Sequence, residues 1–205
     1  MGALTKLAAV NRILRGSAEN PVTALAVTTN ESFMAEDLLD DTVLQHLTTG
    51  FHCNTLTKLI ELDGNSKIPL PDETLTVMGW FDIETGQVDT DQNLRIQDET
   101  GDLFAWDIDN DTDVFDKNLV VRITVNQAFV DLPTPIQFMI TDEAAAVYQM
   151  ITQGDERMNQ LLSAIALQSR IRGRAFDIRS SPHNAFANGR DSGPRQMNLV
   201  PRRWR

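Results

Sequence analysis

The feature that most constrains the fold is a change of hydrophobic period that occurs twice along the chain. Apolar residues recur at helical spacing before Asn54, alternate at every second residue through the middle, and return to helical spacing after Pro133. A helix-period segment is unsuited to a half-buried strand, because its apolar residues would fall on both faces. The pattern therefore predicts an α+β chain with a β segment inserted between two helical segments.

Four helices are predicted, two on each side of the β segment: residues 4–15, 32–51, 134–154 and 155–176. The third opens with a capping box of Thr134 and Gln137 around Pro135 and ends at Gly154, and Asp155 caps the fourth. Neither pair has a core of its own, so we expect one four-helix bundle. The residues expected to be buried are Leu4, Leu7, Val10, Leu14; Phe33, Ala35, Leu39, Val43, Leu44, Leu47, Phe51; Ile136, Ile140, Ala144, Val147, Ile151; and Met158, Leu161, Leu162, Ile165, Ile171.

The middle segment predicts an antiparallel sheet. Strands are expected at residues 56–62, 75–80, 94–96, 103–106 and 119–125, with residues 98–101 as a hairpin loop. Three units follow: a helical bundle from residues 1–54 and 130–179, an inserted β domain at 55–129, and an extended basic C-terminal arm at 180–205. The arm has no hydrophobic periodicity, so composition leaves open whether it is an interaction arm or merely disordered.

Charge is divided unevenly along the chain. Residues 170–205 hold nine arginines against two aspartates, a net charge of +7, while the total is −11. The acidic body repels phosphates, which argues against sequence-specific DNA binding. No apolar run reaches the roughly 20 residues of a membrane span, so no membrane association is predicted. The single cysteine, Cys53, fits assembly in a reducing cytoplasm.

Six aspartates between residues 102 and 116 raise the possibility of a calcium site or a carboxylate active site. An EF-hand loop needs glycine at its sixth position and glutamate at its twelfth. A loop starting at Asp107 has Thr112 and Asn118 there, and one starting at Asp109 has Val114 and Val120. We therefore expect the carboxylates on a solvated hairpin end and outer face, with Phe104, Trp106 or Phe115 pointing inward.

Other candidate sites give no catalytic, metal-binding or cofactor-binding residues. His46 and His52 are six residues apart, too far for zinc ligands one helical turn apart. Cys53 follows His52 without the pattern of a nucleophile and is interpreted as helix-end packing. The glycines form no phosphate-binding motif. The sequence predicts that the chain is not an enzyme, although a carboxylate pair of glycosidase type stays open as an alternative.

Three stretches resemble podovirus tail tubular protein A, the head-to-tail adaptor of short-tailed phages. The first is LAAVNRILRGSAENPVTAL, the second NSKIPLPDETLTV, and the third DLFAWDIDNDTDVFDKNLVVRITVNQAFVDLPTPIQFMIT. The resemblance covers roughly residues 4–175. The helix after Pro135 lacks the arginine- and aromatic-rich face common in that family, and the segment after residue 180 matches nothing in it. Matching positions are Ala9, Val10, Asn11, Ile13, Leu14, Glu19, Pro21, Val22 and Leu25, then Leu103, Asp107, Asn110, Phe115, Val121, Ile123, Asp131, Leu132 and Pro133.

The resemblance implies a structural protein of the virion tail, assembled in the host cytoplasm. It implies a homo-oligomeric ring of twelve copies that joins the portal protein to the tail nozzle protein, continues the DNA channel and offers a rim for tail fibres. DNA would pass without sequence-specific binding, since wall carboxylates repel its phosphates.

The arm is the predicted binding element of this adaptor. Its cations and apolar anchors would order on the portal or on a neighbouring subunit. Two alternatives are a tail-associated polysaccharide or peptidoglycan hydrolase with a carboxylate pair, and a general scaffold or fibre-binding module. The predicted arm residues are Arg190, Arg195, Met197, Leu199, Val200, Arg202, Arg203, Trp204 and Arg205.

Overall fold

Four helices and two small antiparallel sheets make up the chain, which confirms the α+β class. The computed structural model describes residues 3–25, 29–81, 88–89, 94–99, 101–116 and 118–180. The predicted arm beyond Ser180 lies outside these residues. No helix in the described ranges has the length and apolar content to cross a bilayer. The helices are α1 Lys6–Gly16, α2 Asn30–Thr48, α3 Thr134–Thr152 and α4 Glu156–Ser180.

Local capping fixes where the first two helices begin. The Thr5 hydroxyl accepts a hydrogen bond from the Ala8 amide at 3.2 Å, which satisfies one of the free amides of the first turn of α1. Thr29 and Ser32 form a reciprocal capping box at the start of α2. α2 therefore begins two residues earlier than the sequence predicted.

The sheets use the strands in a non-sequential order. The strands are β1 Thr55–Ile60, β2 Pro69–Leu70, β3 Thr74–Phe81, β4 Val88–Asp89, β5 Leu94–Glu99, β6 Asp102–Asp107 and β7 Leu119–Val125. One sheet has the order β1-β7-β3-β4 and the other β2-β6-β5, all neighbours being antiparallel. The first and last strands of the segment are thus hydrogen-bonded to each other, with Thr55 opposite Thr124.

Two hydrophobic clusters form the interior. The first is built by α1, α2 and α3 together with Phe51, Phe129 and Leu132. The second lies among the strands, where one face of β7 meets residues from both sheets. All four residues predicted to share that face of β7, Leu119, Val121, Ile123 and Val125, are buried. The division into the predicted domains stays a prediction.

Asn54 joins the two clusters. Its side-chain amide donates to the backbone carbonyls of Leu47 and Val125, both at 3.0 Å, and its oxygen accepts from the Phe51 amide at 2.7 Å. The side chain is fully buried. One residue therefore ties the end of α2 to the end of β7.

Several predicted burial faces are wrong, because the covered face of a helix depends on its partners. In α2, the predicted Ala35, Leu39 and Leu47 are buried, whereas Phe33 and Leu44 are exposed because they lie at the edge of the covered face. In α3, the predicted Val147 and Ile151 are exposed. α3 is packed by three other helices, so its buried residues include polar ones. In α4, Met158, Leu161, Ile165 and Ile171 are exposed.

The predicted capping box of α3 is also wrong. Thr134 is the first helical residue, and the N-cap position is Pro133, which has no side-chain cap bond. Gln137 is buried and turns away from the helix start. Its oxygen accepts from the Leu4 amide at 2.8 Å, and its amide donates to the Phe129 carbonyl at 2.8 Å. Gln137 therefore forms hydrogen bonds to distant backbone groups and does not cap its own helix.

Candidate interaction surface

α4 is placed by a tight connection from α3. Gly154 adopts a φ of +63°, a left-handed conformation that glycine adopts at little cost. The Asp155 carboxylate then accepts from the amides of Arg157 at 2.9 Å and Met158 at 3.2 Å. Both features were predicted from the sequence and are confirmed. They direct α4 back along α3.

α4 is held to the other helices by small and polar residues. Its only buried residues are Ser169 and Gly173. A Cβ atom placed on Gly173 would lie 2.9 Å from the sulfur of Met139, so the absence of a side chain allows close approach to α3. The Ser169 hydroxyl donates to Asp142 at 2.5 Å. Leu162 is partly buried beside Gly16 of α1, and the other large apolar residues of α4 remain exposed on other faces.

An outward line of apolar residues follows from this packing. Leu167, Ile171 and Ile178 are 58%, 61% and 61% exposed. They are four and seven residues apart, a spacing that keeps them on one side of a helix. We call these three residues the α4 stripe. Large apolar side chains that are exposed together on one side of a helix are typical of a surface that another protein covers.

Arginines surround the α4 stripe. Arg170 and Arg174 flank it, and the guanidinium of Arg174 lies 5.9 Å from the ring centroid of Phe51. Beside α4, a groove of about 690 Å³ is lined by Arg12, Arg172 and Arg179 among other residues. This side of the molecule is therefore both apolar and basic, in contrast to the acidic total.

α2 carries a second exposed face with the opposite charge. Phe33, Met34 and Leu44 are exposed there, alongside the exposed Asp37 and Asp41. We call these five residues the α2 face. A cavity of about 340 Å³ beside Leu44 is lined in part by Asp40 and Asp41. Lys6 pairs with Glu36 and Asp40, both at 2.8 Å, and so offsets only one edge of this acidic surface.

Asp107, the last residue of β6, serves local structure. Asp107 is buried, and its carboxylate accepts from the amides of Asp109 at 2.9 Å and Asn110 at 3.2 Å. Its carboxylate therefore organises the turn, which corrects the expectation that the whole run is solvated. Asp109 and Asp111 are exposed as predicted. In the described part of the chain, no cluster of His, Cys, Asp and Glu could hold a metal ion.

The aromatic residues near this turn do not all point inward. Ala105 is buried, so Phe104 and Trp106 lie on the other face of β6, where Lys67 and Arg95 stack on their rings at 5.3 Å and 4.8 Å. Of the three aromatic residues that the sequence offered as pointing inward, only Phe115 packs against the second cluster.

Lys67 ties this region together. Its ammonium pairs with Asp113 at 2.6 Å and Glu99 at 2.7 Å. The hydrogen bonds to these two carboxylates raise the pKa of Lys67 to about 12. Both acids are therefore engaged in holding the hairpin to the loop that precedes β2.

Cys53 has the environment of a structural thiol. It is half-buried in the middle of the helical turn that follows α2. Burial, with the nearby Asp177 carboxylate, raises the pKa of Cys53 to about 11. Because the thiolate is the reactive form, a raised pKa suppresses nucleophilic chemistry near neutral pH. This agrees with the interpretation of Cys53 as packing.

The structure neither places nor tests the predicted arm residues. Arg190, Arg195, Met197, Leu199, Val200, Arg202, Arg203, Trp204 and Arg205 all lie outside the described residues. Sequence reasoning missed the α4 stripe, because Ile171 was assigned to the buried face and Leu167 and Ile178 to no face. The spacing of these three residues was the available signal.

A comparison with protein families supplies the remaining observation. The family model described as "Tube: Tail tubular protein" matches residues 7–182. The match spans all four helices and both sheets. No curated protein matches the chain.

Proposed function

The chain belongs to the tail tubular protein family, as its sequence resemblance predicted, and from this premise we propose that it forms an adaptor ring between the portal and the tail nozzle. Members of this family are structural components of the phage tail. The hydrolase alternative is not retained, since nothing in the family supports it.

The observation that carries the proposal is the uncovered α4 stripe. Three large apolar side chains that are each more than half exposed on one helix contribute little to the stability of a monomer in solution. A ring subunit has neighbours that cover such a surface. The acidic body agrees with a channel role, because exposed carboxylates repel duplex DNA and let it slide without sequence-specific binding.

The arm is proposed to dock the ring on the portal. α4 ends at Ser180, so the arm continues from the basic end of that helix. The arm residues combine arginines with the apolar anchors Met197, Leu199 and Trp204. Such a segment binds by pairing its cations with acidic groups while its anchors fill apolar pockets. The tail fibres would contact the rim of the same ring.

A chain that ends after Ser180 tests the docking role. Both hydrophobic clusters lie before this point, so we expect the truncated chain to fold with unchanged circular dichroism. We expect it to be lost from portal-containing particles that retain the full chain. A matched full-length variant with Met197, Leu199 and Trp204 changed to alanine should show the same loss. Normal tail completion by the truncated chain would refute the role of the arm.

A further inference from the structure

We propose that the α4 stripe of one copy packs against the α2 face of a second copy, which makes the contact between neighbouring subunits heterologous. This inference rests on the proposed ring and names the surfaces that build it. A heterologous contact joins two different surfaces and repeats from copy to copy, so it closes into a ring when the rotation allows.

Charge complementarity indicates that the partner of the α4 stripe is a second copy of the chain. α2 has five carboxylates and no lysine or arginine, whereas α4 has five arginines and two carboxylates. Two copies of an acidic chain would normally repel each other. The contact between α4 and α2 is attractive, and it brings a basic surface of one copy to an acidic surface of the next.

Several of these charges are not compensated within the subunit. In the parts of the chain that the structure describes, Asp37 and Asp41 form no ion pair, and neither do Arg170 and Arg172. Lys6 compensates only Glu36 and Asp40. Each surface therefore retains charges that a second copy can pair.

The two surfaces also match in length and arrangement. The α4 stripe extends from Leu167 to Ile178, and the α2 face from Phe33 to Leu44. Each interval is 11 residues, or about 16 Å of helix. Within these intervals, Arg170 and Arg174 are four residues apart, and so are Asp37 and Asp41. Each surface thus begins and ends with an apolar residue, and two like charges, one helical turn apart, lie between these residues.

A single copy does not satisfy its own surfaces. α2 and α4 each pack against α3 but have no substantial contact with each other in the described structure. The α4 stripe and the α2 face are both outward. The pairing is therefore between copies. Burial of apolar side chains supplies the attraction, and the charges set the orientation and exclude wrong partners.

Charge reversal with rescue tests the contact. One variant carries Asp37→Lys and Asp41→Lys, the other Arg170→Glu and Arg174→Glu, and a third carries all four changes. All positions are exposed, and thermal unfolding checks that each variant folds. The control, Glu61→Lys with Asp72→Lys, reverses two exposed acids of the β segment. Each purified chain is incubated with portal-containing particles, and rings are counted by electron microscopy.

We expect each two-site reversal to reduce ring formation at least tenfold, the four-site variant to recover most of it, and the control to behave as the unchanged chain. Rings that survive both reversals would overturn the α4–α2 contact while leaving the adaptor function intact. Loss of rings from the α4 reversal without rescue would also overturn it, because α4 would then face the portal or the nozzle. Failure of the unchanged chain to form rings would instead refute the proposed function.

Discussion

At the scale of single residues, Asp142 shows how one carboxylate connects three helices. It lies on α3 and is buried. One of its oxygens accepts from Arg12 of α1 at 2.5 Å, and the other accepts from Ser169 of α4 at 2.5 Å. A buried carboxylate is stable only when it is paired and hydrogen-bonded. These two partners satisfy that requirement and fix the position of α4.

We predict that Asp142→Ala lowers the free energy of unfolding by about 2 kcal/mol, because the buried Ser169 hydroxyl loses its acceptor and Arg12 loses its charged partner. Arg12 is part-exposed, so water offsets some of the loss. Asp142→Asn keeps an acceptor for Ser169 and should lose less. Urea unfolding followed by circular dichroism measures both. Equal stability of Asp142→Ala and the unchanged chain would show that the network contributes nothing.

At the scale of elements, α4 differs from the other helices because it packs mainly against α3. The first cluster takes its residues from α1, α2 and α3, and α4 contributes none. Close approach at Gly173 and the bond from Ser169 hold it instead. α4 is therefore the helix that local unfolding releases most readily.

We predict that Gly173→Ala speeds amide hydrogen exchange across α4, because the new Cβ would sit 2.9 Å from the Met139 sulfur and 3.2 Å from its Cβ. Overpacking costs about 1–3 kcal/mol, and the better helix propensity of alanine returns about 1 kcal/mol. The net loss should be about 1 kcal/mol. Gly64→Ala is the control, since nothing lies within 4 Å of that position. Unchanged exchange in α4 would contradict the prediction.

The sequence predicted the positions of helices and strands better than it predicted which side of each helix is buried, and the reason is physical. A helix end is decided locally, as Gly154 and Asp155 show, and the hairpin at Gly101 follows from a φ of +98°. The alternation along β7 likewise predicts its buried residues. Which side of a helix is covered depends on distant segments, however. α4 has apolar residues on several sides, and no local feature indicates that Ser169 and Gly173 face α3.

At the scale of the whole molecule, the β segment enters and leaves the helical part at one place. β1 and β7 are neighbours in one sheet, so Thr55 and Thr124 lie opposite each other. Asn54 bonds to the Val125 carbonyl at the same junction. Two separate hydrophobic clusters lie on either side of it. The β segment therefore joins the helical part at one junction, and the division into domains stays a prediction that truncation can test.

We predict that replacing residues 55–125 with a short glycine-serine linker leaves a helical protein that unfolds cooperatively. Its stability should fall by roughly 2–3 kcal/mol, because Asn54 loses its partner at Val125 and Leu75 no longer packs against the helices. Circular dichroism and thermal melting measure this. The control removes residues 30–48, and that chain should not fold. Loss of helix in the first variant would refute the division.

The position of α4 at the end of α3 has a consequence for synthesis. Domains fold as the ribosome releases them, N-terminal parts first. All residues of the first cluster precede α4, so the cluster can close before α4 leaves the ribosome. α4 and its exposed apolar residues thus emerge after the first cluster can form, which shortens the time in which a nascent chain could bind the wrong neighbour.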